Sequence, residues 1–175
     1  MQNISQTLAG RVVVTRLLPL SISELKEDAN IDTNTLMWKG FYPGVWGDGK
    51  DPGNVYDSYV STYLQRDVRQ ILNIKDLGLF QKFLTIVASR VGNVFIASSI
   101  ASELGVDYKT IQSWMSILET SYTAFLLQPF HRNIGKRMTK TPKVYFYDVG
   151  LVCHLLRIKI EQHIKTHPLR GAIFV

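Results

Sequence analysis

The chain has 175 residues, of which 46% are hydrophobic and 19% charged, with 6 Pro, 12 Gly and a single cysteine, Cys153. Such a composition is globular; it excludes a disordered tail, a collagen-like repeat, a coiled-coil rod, an internal disulfide framework and a cysteine-rich zinc site. The net charge of +6 is uneven, because residues 1–60 hold five basic and seven acidic side chains whereas residues 61–175 hold 15 and seven.

The first segment has a β-rich run over residues 11–18 ended by Pro19, then a polar stretch (24–35) and a Gly/Pro-rich stretch (40–53). From residue 55 to 72 the apolar positions Tyr56, Tyr59, Val60, Tyr63, Leu64, Val68, Ile71 and Leu72 recur at helical spacing. A second helix is expected over residues 77–91, with Asp76 as N-cap and Gly92 as its stop.

Residues 96–118 satisfy the spacing of a helix-turn-helix. Ser98 or Ser99 is expected to cap a short helix holding Ile100, Ala101 and Leu104; Gly105 supplies a left-handed turn and Val106 plugs it. Asp107 then caps a second helix with Ile111, Trp114 and Leu118 inward and Tyr108, Lys109, Gln112, Ser113 and Ser116 outward. Strand-like runs over 122–130 and 143–147 flank the loop HRNIGKRMTKTP (131–142), so the unit reads as a winged helix. Arg132, Lys136, Arg137, Lys140 and Lys143 carry five positive charges there with no carboxylate between them, a footprint for phosphates. Lys109, Gln112 and Ser113 are the helix residues placed to reach DNA bases or backbone. A solvated hairpin loop on a protein-binding winged helix is the competing reading.

Other motifs carry less. GVWGDGKD (44–51) fits G-x-x-x-x-G-K but puts Asp where a phosphate loop needs Ser or Thr, and Asp51-Pro52-Gly53 reads as a turn. His163 and His167, four apart, lack an intervening HExxH glutamate and read as surface residues; Cys153 reads as a buried thiol. Asp148-Val149-Gly150 ends the wing strand and starts a helix at Leu151. Apolar runs are shorter than the ~20 residues of a membrane span, and polar residues follow Met1 where a signal peptide would be apolar. A cytoplasmic protein without a membrane partner is expected.

Read together, LAGRVVVTRLLPLSISEL (8–25), KGFYPGVW (39–46), YDSYVSTYLQRDVRQI (56–71), the helix-turn-helix, LLQPFHRNIGKRMTKTPKVYFYDVGLVCHLLRI (126–158) and HPLRGAIF (167–174) resemble one bacterial and archaeal family. These are the predicted AAA-type ATPases that carry a C-terminal domain of unknown function with a winged helix and a restriction-endonuclease-like fold. The resemblance implies a mainly α fold with a small β component (α+β): a remnant of the ATPase core, its last helix and strand (1–25), a helical lid region (26–92), the winged helix (93–150) and the start of a truncated nuclease-like domain (151–175). Walker A, Walker B and the nuclease catalytic residues are absent from the chain. The resemblance therefore implies no catalysis, cofactor or metal here, ATP and Mg belonging to full-length relatives. It implies that Arg11, Arg66 or Arg69 contacts nucleotide or a neighbouring subunit in intact relatives. The expected function is a non-catalytic fragment retaining a DNA-binding winged helix; the alternative is an interaction module packing on the ATPase core or another protein.

Overall fold

The computed structural model describes residues 15–25, 31–63, 68, 77–130 and 141–174. The described residues are mainly helical, with one two-stranded antiparallel sheet. In chain order the elements are α1 (Thr33–Lys39), α2 (Pro43–Trp46), α3 (Pro52–Tyr63), α4 (Leu77–Ser89), α5 (Ala97–Leu104), α6 (Tyr108–Thr120), β1 (Ala124–Leu127), β2 (Lys143–Phe146), α7 (Val149–Leu155), α8 (Gln162–Lys165) and α9 (Arg170–Phe174).

Several boundaries differ from expectation for local reasons. Asp51-Pro52-Gly53 opens α3 instead of forming a free turn, because proline suits the first helical position and Asp51 accepts the Asn54 amide at 3.1 Å. Neither Ser98 nor Ser99 caps α5. The helix starts two or three residues earlier, with Ile96 at the cap position, its carbonyl accepting from Ile100 and no side chain involved. In the run 11–18 expected as a strand, the described residues 15–18 form none; Arg16 instead lies over the Tyr122 ring at 5.2 Å.

Helix α4 buries Phe80, Phe83, Leu84, Val87 and Ala88, a period of 3.6 that lays one stripe on the core. Trp114 of α6 meets Phe80 and Phe83 at ring separations of 5.4 and 5.3 Å, so one indole joins α6 to two rings of α4. α7 contributes Leu151, Val152 and Cys153 to the same core and packs on α1, α3 and α4. The Cys153 thiol donates to the Met37 carbonyl at 3.3 Å, and burial pushes it up to about 12, so the buried-thiol reading holds. Asn34, capped by Asp32, accepts both an Nε and an Nη bond from Arg170, which ties α9 to α1.

The two halves of the chain meet at a polar knot. Asp148 caps α7 through the Leu151 amide and also accepts the Phe41 amide and the Tyr56 hydroxyl. Gly40 (φ +66°) and Gly150 press together around that hydroxyl; a Cβ on either would overlap Tyr56 Oη and the opposing backbone.

Candidate nucleic-acid interface

Helix α5, a tight turn and helix α6 are held by two local devices. Gly105 takes φ +68°, ψ +33°, and Asp107 accepts the Lys109 amide at 2.8 Å. With Ile111, Trp114, Met115 and Leu118 buried, the opposite face of α6 is fixed by geometry: Tyr108, Lys109, Gln112, Ser113 and Ser116 are exposed. Gln112 donates to the Tyr108 hydroxyl at 2.7 Å one turn away.

Behind α6, β1 pairs with β2 in the register Ala124↔Phe146 to Leu127↔Lys143. β2 is flanked on its other side as well. Gly92 donates to the Val144 carbonyl, Val144 to the Asn93 carbonyl and Phe95 to the Pro142 carbonyl, so residues 92–95 form a third line of pairing. Since Val144 turns both its groups toward that segment, its cross-strand neighbour Leu126 points its amide to the outer edge, where Glu119 accepts it at 3.3 Å.

Lys143 is exposed at the start of β2, next to the loop; Lys109, Gln112 and Ser113 are exposed on α6. Arg132, Lys136, Arg137 and Lys140, the bulk of the expected charge, lie outside the described residues, as do Arg11, Arg66 and Arg69. On α6 itself Lys109 is offset by Glu119, and Glu103 of α5 is paired with Arg90 at 2.7 Å. A groove of about 550 Å³ separates α6 from the sheet, lined by Ile96, Tyr108, Gln112, Glu119, Leu126 and Pro142. Neither the groove nor Glu119's place in it was visible in the sequence, because it depends on how the helix crosses the strands.

The metal and membrane expectations concern other surfaces. Among the described residues no group of three His, Cys, Asp or Glu could hold a metal, and His163 is exposed while His167 accepts the Leu169 amide. No described helix is long and apolar enough to cross a membrane.

With this geometry in hand, comparison with known proteins is decisive about family. A family model described as Domain of unknown function (DUF8612) matches residues 30–162, from α1 into α8. The chain belongs to this family. Uncharacterized proteins of Mycobacterium bovis and Mycobacterium tuberculosis are each 28% identical to it over 170 residues, covering 96% of the chain and 38% of the relative. An uncharacterized protein of Haemophilus influenzae is 21% identical over 188 residues, covering 98% of the chain and 46% of the relative. The chain thus spans less than half the length of these relatives. No solved structure matches it. These findings overturn the assignment to an AAA-type ATPase: the matching family is DUF8612, and the relatives that cover the chain are uncharacterized. The nucleotide or subunit contacts which that assignment implied for Arg11, Arg66 and Arg69 lose their basis with it. The DUF8612 match takes in both the polar knot at Asp148 and the elements α5, α6, β1 and β2.

Proposed function

We propose that residues 77–146 form a winged-helix module that binds DNA, with α6 as the reading helix and the β1–β2 hairpin as the wing. The observation that carries the reading is the element order: α4, the paired segment 92–95, α5, α6, β1 and β2 follow one another as in a winged helix. Lys109, Gln112 and Ser113 stand on the exposed face of α6. The sequence joining the two strands supplies Arg132, Lys136, Arg137 and Lys140, and Lys143 follows at the strand start. Phosphate contact would come from these cations, and base contact from Gln112 and Ser113. The test is duplex DNA binding by fluorescence anisotropy across a salt series. Affinity should fall with a log-log slope of ~0.9 per phosphate neutralised. Replacing Lys136, Arg137 and Lys140 together by Ala should weaken binding and flatten that slope. No binding at low salt, or an unchanged slope in the triple variant, would refute it.

A protein-facing role is the second reading, favoured by one observation away from α6. Leu17 is 96% exposed and Ile22 64%, beside half-exposed Leu18, an apolar surface that water disfavours. Self-association that persists at high salt and disappears in Leu17→Ser would support it over DNA binding.

A further inference from the structure

Helix α7 closes in a Schellman motif: the Arg157 amide donates to the His154 carbonyl and the Ile158 amide to the Cys153 carbonyl, both at 2.9 Å. Glycine normally occupies the left-handed position of this motif, yet here Arg157 holds φ +59°. Helix α6 ends the same way with Tyr122 at φ +55°, but the Tyr122 ring packs edge-on against Tyr147 and under Arg16, and that packing accounts for it. Arg157 has no such compensation. Its side chain is exposed and makes no hydrogen bond or ion pair with the described residues. Backbone strain kept without local compensation is characteristic of a residue whose side chain is used.

Arg157 stands where two clefts meet, one of about 400 Å³ between the start of α3 and the end of α7, and one of about 800 Å³ bounded by α3, α4 and α5. The smaller one is lined by the Trp38 indole and by Arg157 and Lys159. Asp57, 3.3 Å from His154, and Asp51, which accepts the Asn54 amide, line it as well. The side chains of Arg157 and Lys159 have no ion-pair or hydrogen-bond partner among the described residues. We propose that this cleft is a binding site for a small planar anion, its ring against Trp38 and its phosphate or carboxylate held by Arg157 and Lys159. The volume suits a small molecule, and a guanidinium forks onto either acid with two parallel bonds. The site lies away from α6 and the hairpin, so it stands or falls independently of DNA binding.

The experiment is a titration of the full chain with phenyl phosphate, benzoate and inorganic phosphate, followed by the NMR signals of the Trp38 indole N–H and the Arg157 to Lys159 amides. Saturable shifts are expected with phenyl phosphate or benzoate, and which of the two binds more tightly identifies the acid. Inorganic phosphate, lacking the ring, should bind more weakly. Arg157→Gly relieves the left-handed strain, so it should melt at a higher temperature while losing at least ~10-fold in affinity through the missing charged hydrogen bonds. Absent Trp38 shifts, equal binding of inorganic phosphate, or wild-type affinity in Arg157→Gly would each overturn the proposal.

Discussion

The Tyr56 hydroxyl donates to Asp148 Oδ1 at 2.6 Å, joining α3 to the cap of α7 across 92 positions of sequence. The carboxylate also receives the Phe41 amide at 2.6 Å and the Leu151 amide at 2.7 Å, so one buried side chain fixes the entry to α7, the loop after α1 and the middle of α3. Burial raises the carboxyl above its ordinary range despite these donors, and burial likewise raises the tyrosine, which keeps its proton to donate. Tyr56→Phe should therefore cost ~1.5–3 kcal/mol, the worth of a hydrogen bond to a charged group. Asp148→Ala should cost more, since it strands the Phe41 and Leu151 amides at once and leaves the Tyr56 hydroxyl only the Lys39 carbonyl, 3.0 Å away. Urea unfolding checks both, and a Tyr56→Phe variant as stable as wild type would show that the bond contributes nothing net.

Gly40 and Gly150 are the partners of that bond in packing terms. At Gly40 a methyl group meets the Tyr56 hydroxyl and lies 2.6 Å from Asp148 Oδ1, and the backbone sits at φ +66°. Gly49 has nearly the same φ, +59°, but nothing within 4 Å. Comparing the two alanine variants separates backbone strain from overlap: Gly49→Ala should lose ~1–2 kcal/mol from the left-handed conformation alone, and Gly40→Ala several more. Equal losses, measured by thermal unfolding, would mean that the close approach yields readily.

What could be read in the sequence was local. Gly105 and Asp107 identify the turn and the second helix because each acts within four residues of itself, and Asp148-Val149-Gly150 marks the passage from strand to helix for the same reason. Tyr56 appears in the sequence only as one of several tyrosines on a helical stripe; its partner is set by the folded chain. Pro52 was misleading because a proline flanked by Asp and Gly suits both a turn and the first helical position, and burial of Pro52 in α3 decides between them. Arg157 gave no signal at all. A left-handed helix terminus is legible when glycine marks it, as at Gly105, and invisible when an arginine takes the place.

His154 sits half-buried beside Asp57, and burial lowers its pKa below the ordinary value, with the aspartate opposing part of the shift. A depressed histidine binds fewer protons folded than unfolded. Its neutral form is compatible with the fold above the unfolded value near 6.5, and stability is lost as pH falls from there through the lower folded value. His154→Gln should therefore lose less stability than wild type between pH 7 and pH 5, other titrating groups being common to both. Asp57→Asn removes the opposing charge and should steepen the wild-type loss. The check is the difference in urea midpoint at the two pH values, and parallel pH profiles for wild type and His154→Gln would contradict the burial argument.

Glu119 serves two surfaces at once, and two substitutions separate them. Its carboxylate accepts the outward Leu126 amide and so occupies the open edge of β1, a position where an unpaired strand invites another. It also places negative charge in the groove that Tyr108 and Gln112 line, against the proposed path of a phosphate backbone. Glu119→Gln keeps an acceptor for Leu126 while removing the charge; Glu119→Ala removes both. Stability should then fall by ~1 kcal/mol in the alanine variant alone, with self-association appearing on gel filtration as the edge opens. DNA affinity should rise in both, since it responds to charge and not to the acceptor. If glutamine destabilises as much as alanine, the edge bond depends on the full charge; if affinity rises in neither, α6 does not face the phosphates.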